Sequence, residues 1–72
     1  MPRLPSRTPA DLVRLLVRHG FLFKRQSGSH AIYKHPDGRW AIVPMHRKDL
    51  KKGTLSHLLK DAGLEVEDLY ST

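Results

Sequence analysis

Pro36-Asp37-Gly38 stands between two short runs, His30-Ala31-Ile32-Tyr33-Lys34-His35 and Arg39-Trp40-Ala41-Ile42-Val43-Pro44, and no other feature constrains the chain as much. Proline presets the backbone of a turn, aspartate bonds to its own backbone, and glycine enters the left-handed region without steric cost, so the two runs read as a tight antiparallel hairpin. A three-residue loop with Gly38 left-handed pairs His35 with Arg39, then Lys34 with Trp40, Tyr33 with Ala41, Ile32 with Ile42, Ala31 with Val43 and His30 with Pro44. One face then holds His30, Ile32, Lys34, Trp40 and Ile42; the other holds Ala31, Tyr33, Ala41 and Val43. Burying Lys34 unpaired is costly, so the second face is expected to meet the core, leaving His30 on the open side.

Signals on either side supply the rest of the order. Residues 1–7 read as an irregular lead-in. Thr8, Pro9 and Asp11 form a Thr-x-x-Asp capping signal, Leu12, Val13, Leu15, Leu16 and His19 follow at helical spacing, and Gly20 closes a helix expected over residues 9–19. Residues 21–26 are rich in aromatics and suit a first strand, broken by Ser27-Gly28-Ser29. Residues 45–53 form a basic connection. A second helix is expected from Gly53 or Thr54, with Leu55, Leu58, Leu59 and Ala62 on one face, Gly63 as its stop and Leu64 in a Schellman ending; residues 65–70 can add a turn. The expected fold class is α+β, a two-layer α-β-β-β-α sandwich in which two helices cover one face of a three-stranded antiparallel sheet, with residues 1–72 forming one domain.

Charge narrows the partners. The formal net charge is +6, and it is unevenly distributed: residues 1–60 carry +10, whereas Asp61, Glu65, Glu67 and Asp68 give the last twelve residues −4. A basic body of this kind is the footprint of a polyanion binder, with nucleic acid the first expectation. No apolar run approaches the ~18–20 residues of a membrane span, and the N-terminus lacks the apolar core of a secretory signal, so a cytoplasmic protein without membrane association is expected. The chain has no cysteine, which removes disulfides and thiolate metal sites. A zinc site from His30, His35 and His46 fails on geometry, because a five-residue offset along a strand points His30 and His35 to opposite faces.

Several separated motifs occur in one order: Gly28-Ser29-His30, Tyr33, His35-Pro36-Asp37-Gly38-Arg39, Val43-Pro44 with His46, Asp49-Leu50-Lys51-Lys52-Gly53-Thr54-Leu55, and Leu58-Leu59-Lys60 with Ala62-Gly63-Leu64. In these the sequence resembles the HicA (YcfA-like) toxin family over nearly its whole length. The resemblance implies a sandwich similar to double-stranded-RNA-binding domains, an mRNA interferase activity, restraint by a cognate HicB-type antitoxin, and a catalytic histidine at His30.

The residues can be fitted to that chemistry. RNA cleavage without a metal needs the 2′-hydroxyl deprotonated, the leaving 5′-oxygen protonated and the phosphorus-centred charge offset. An imidazole, with an ordinary pKa of ~6.5, can do either proton transfer near neutral pH. His30 is assigned one transfer, with water or His46 as the other partner. Lys34, Lys48, Lys51 and Lys52 are assigned to phosphates, and Gly28 and Ser29 to backbone contacts with them. No cofactor is called for. Plainer readings stand beside these: a strand histidine is ordinarily a surface residue, His46 serves equally as a loop anchor, His19 and His57 are helix-surface residues, and Trp40 either stacks on a base or is a half-buried sheet residue. The corresponding rival function is a non-catalytic RNA-binding module of the same fold, and a second rival is a basic surface that chiefly binds an acidic partner chain.

Overall fold

A computed structural model describes residues 4–70; the first three residues of the expected lead-in lie outside them. Helix α1 (Pro9–Arg18) is followed by strands β1 (Leu22–Ser27), β2 (His30–Lys34) and β3 (Trp40–Pro44), helix α2 (Lys52–Ala62) and a 3₁₀ turn at Val66–Tyr70. The strands form one antiparallel sheet in the order β1-β2-β3. The α+β sandwich expected above is what the chain forms.

The start of α1 is set by its first residues. The Thr8 hydroxyl accepts from the Asp11 amide at 3.2 Å, and the Asp11 carboxylate accepts from the Thr8 amide at 3.0 Å, the reciprocal pair of a capping box. Those bonds, with Arg14 and Arg7 nearby, hold the Asp11 carboxyl below the usual carboxylate range. Both helices end in the same way. Gly20 and Gly63 have φ of 92° and 68°, and the residue after each donates back into the helix, Phe21 to Leu16 at 2.9 Å and Leu64 to Leu59 at 2.8 Å. This moves the first strand: the Phe21 amide belongs to the helix ending, Phe21 is fully buried, and β1 begins one residue later than expected.

The β2–β3 register is the one derived from the turn, from His30 opposite Pro44 to Lys34 opposite Trp40. The His35 amide donates to Arg39 at 2.8 Å and the Gly38 amide to His35 at 2.9 Å, with Gly38 at φ 103°. Asp37 accepts from the Arg39 amide and side chain at 3.0 and 2.8 Å, which holds its carboxyl below the usual range. Ala31, Tyr33, Ala41 and Val43 are buried in one core with Leu12, Leu15 and Leu16 of α1 and Leu55, Leu58, Leu59 and Ala62 of α2. Ile32 lies on the opposite face yet is 9% exposed, because it sits mid-sheet between its cross-strand partners Arg25 and Ile42.

Two segments differ from the expected loops. Leu50 is buried, and its amide donates to Arg7 at 2.8 Å, so the basic connection is pinned across the lead-in. Arg7 also donates to the Leu69 carbonyl at 2.9 Å, tying the lead-in to the final turn, whose Leu69 enters the core. Helix α2 starts at Lys52, one residue before the expected start, with Lys51 as an N-cap that makes no side-chain capping bond.

Candidate functional site

A two-residue turn delivers His30. Ser27 pairs with His30, so Gly28 and Ser29 form the hairpin tip between β1 and β2 rather than a simple break. Gly28 has φ 58° and Ser29 is not left-handed, the pattern of a hairpin turn that needs glycine in its first place. Gln26 closes the tip by donating to the Gly28 carbonyl at 3.1 Å, and Met45 donates to the Ser29 carbonyl at 2.6 Å. His30 therefore opens the central strand with both neighbours fixed, while its side chain is exposed on the uncovered face.

An open depression lies where this end of the sheet meets α2. It is lined by His30 from β2, Ile42 and Pro44 from β3, and Gly53, Thr54, His57 and Leu58 from α2. His57 is the exposed helix-surface residue expected from the sequence, and it also lines this depression, a place the sequence did not assign to it. Its position identified only a polar helix residue; what brings it into the lining of the same depression as His30 is the way the apolar stripe of α2 packs against the core. His57 Nε2 lies 3.3 Å from Asp61 Oδ2, one helical turn on.

The other predicted residues fall into three groups. Lys48, Lys51 and Lys52 are exposed on the connection and at the start of α2, immediately before Gly53 and Thr54 of the depression. The first turn of α2 carries no acidic residue and no side-chain cap, so its amides and partial positive charge are open to an anion. Lys34 shares the His30 face but stands at the far end of β2, about 13 Å along the strand. There its ammonium lies 4.9 Å from the Trp40 ring centroid, and Trp40 is 44% exposed. His46 is exposed in the connection and is not among the lining residues of the depression. His35 is held in the turn, accepting from the Asp37 amide at 3.1 Å with its ring edge-on to Phe21 at 5.1 Å. Among the described residues no three His, Cys, Asp or Glu side chains group in a way that could hold a metal ion.

A half-covered sheet with an exposed histidine at the start of its central strand, and exposed lysines at the start of α2, define a small basic sandwich. The family model for the HicA toxin of bacterial toxin-antitoxin matches residues 9–64, from the first residue of α1 to the residue that closes α2. The chain belongs to that family, the toxin side of toxin–antitoxin systems. No curated protein matches it. Among the described residues no helix is long and apolar enough to cross a membrane.

Proposed function

We propose that the protein is a metal-independent endoribonuclease that cleaves mRNA in the cytoplasm, with His30 transferring a proton in the cleavage step. The observation that carries this reading is His30 itself: exposed, held at the start of the central strand, and opening onto a depression beside the uncapped, basic start of α2. Attack of the 2′-oxygen on phosphorus forms the new P–O bond, the P–O5′ bond breaks, and the products are a 2′,3′-cyclic phosphate and a 5′-hydroxyl end. The 2′-hydroxyl proton goes to a base and the 5′-oxygen receives a proton from an acid; His30 is one of these groups. Lys48, Lys51, Lys52 and the first amides of α2 take the phosphate oxygens, and Gly28 and Ser29 let the RNA backbone approach the sheet end. Lys34 and Trp40 support a neighbouring nucleotide, the indole offering a stacking surface. An open surface of this kind favours single-stranded message.

The same face suits an inhibitor. Leu22, Trp40 and Ile42 are 64%, 44% and 49% exposed on it, an apolar strip beside a basic site that a HicB-type antitoxin would cover together with His30. Purified protein, incubated with unstructured RNA and a chelator, is expected to leave cyclic-phosphate ends, and His30→Ala to lower the rate at least about 100-fold while still binding RNA. Equal cleavage by both proteins, or RNA binding by the wild type without cleavage, would overturn the assignment; the latter would leave an RNA-binding module.

A further inference from the structure

We propose that His57 is the second catalytic imidazole, performing the proton transfer that His30 does not. The inference rests on the ribonuclease reading above and adds to it the identity of the partner. Cleavage by 2′-oxygen attack requires a base on one side of the phosphorus and an acid on the other, because the entering and leaving oxygens lie in line. One histidine on a flat sheet can serve only one side.

The depression supplies the other side. Its sheet wall carries His30, and its helix wall carries His57, with Thr54 and Gly53 of the α2 first turn alongside to receive phosphate oxygens. Ile42, Pro44 and Leu58 complete the lining and offer no competing proton donor or acceptor. On its own helix the charged groups nearest His57 in position are Lys60 and Asp61, three and four residues on; the other titratable residue lining the depression is His30 of β2, and β3 lines it with Ile42 and Pro44. Asp61 faces Nε2 at 3.3 Å, so Nδ1 is the nitrogen left to the substrate, and Asp61 is a positioning residue that fixes the ring. The His57 side chain is 73% exposed, so its imidazole is open to a bound substrate. His46, the partner expected from the sequence, is not among the lining residues.

In the cleavage step one imidazole accepts the 2′-hydroxyl proton as the P–O2′ bond forms. The other, as imidazolium, donates its proton to the 5′-oxygen as the P–O5′ bond breaks. Water then returns both rings to their starting protonation by proton exchange.

The test is the pH dependence of kcat/KM on unstructured RNA with a chelator present, for wild type, His57→Gln, His30→Ala and, as a surface-histidine control, His19→Gln. Wild type and His19→Gln are expected to give the same bell-shaped profile. His57→Gln is expected to lose about 10²–10⁴-fold in rate and one limb of the bell, with an unchanged melting temperature and unchanged affinity for 2′-O-methyl RNA, which cannot be cleaved. Asp61→Asn is expected to lower kcat with little change in KM. A substrate with sulfur in place of the scissile 5′-oxygen, whose departure needs no proton, should rescue whichever histidine variant lacks the acid. His57→Gln cleaving at the wild-type rate with both limbs intact would overturn the role of His57 and leave the ribonuclease reading standing. A wild type that binds RNA without cleaving it would overturn both.

Discussion

Gly63 and Arg39 meet at the point where the β2–β3 turn is fastened to the end of α2, and Gly63→Ala tests that junction. Gly63 has φ 68°, and a Cβ built there would lie 2.9 Å from Arg39 Nη1. Arg39 Nη1 donates to the Ala62 carbonyl while its Nε donates to Asp37, so one guanidinium joins the turn to the helix C-terminus. Holding alanine in the left-handed region costs about 1–2 kcal/mol. The added methyl group also moves the guanidinium off the carbonyl. A hydrogen bond to a charged group contributes up to about 1.5–3 kcal/mol, which we reduce to roughly 1 kcal/mol because the Arg39 side chain is 34% exposed. The expected loss is therefore about 2–3 kcal/mol, a fall in Tm of roughly 10–20 °C for a domain of this size. Arg39→Ala alone removes the bond to Ala62, the exposed ion pair with Asp37, which contributes little, and the contact over the Phe21 ring, whose centroid is 5.2 Å from Arg39 Cζ, together at about 1–1.5 kcal/mol. In the double variant the clash has no target, so the loss should fall short of the sum of the singles by roughly 1 kcal/mol. Thermal unfolding followed by circular dichroism, at one pH and protein concentration, measures all three. Single effects that add to within about 0.5 kcal/mol, or a Gly63→Ala protein with the wild-type Tm, would refute the reasoning.

Acid stability follows from Asp11 and Asp37, whose carboxyls are held below the usual range by the bonds from Thr8 and Arg39. A depressed folded-state pKa gives stability that is fully present above the unfolded value of ~3.9 and is lost as pH falls through the folded value. The Asp11→Asn, Asp37→Asn double variant should therefore lose stability at neutral pH and show a shallower acid decline; an unchanged stability–pH curve would contradict this. Replacing Lys48, Lys51 and Lys52 together by alanine should weaken RNA binding uniformly across sequences and reduce the slope of log affinity against log salt by about 0.7 for each lost phosphate contact. Equal slopes for the two proteins would remove these lysines from the RNA contact.

The hairpin was legible because its determinants are local. Pro36-Asp37-Gly38 defines the loop, the loop defines the register, and the alternation of a strand then decides that Tyr33 and Val43 share a face from which His30 is excluded. The capping box of α1 and the left-handed glycine of α2 were legible for the same reason, since each acts within one turn of backbone. Boundaries without a side-chain signal shifted by a residue: Phe21 was taken into the ending of α1, and α2 begins at Lys52 with an N-cap, Lys51, that makes no side-chain capping bond. Leu50, an isolated leucine in a basic run, gave no periodic pattern by which its burial could be foreseen.

The sequence by itself determined the elements, their order, the strand register and the exposure of His30 on an open basic face, because turn chemistry, capping and strand alternation act over a few residues. Only the tertiary structure decided which residues line the depression with His30. His57 is far from it in sequence, and no local pattern couples the two; they line one depression because Leu55, Leu58 and Leu59 bury one stripe of α2 in the core, where the helix packs on β3. The packing of that stripe against the sheet fixes the rotation of α2, and that rotation, rather than any motif, brings a second imidazole into the lining of the depression that His30 opens onto.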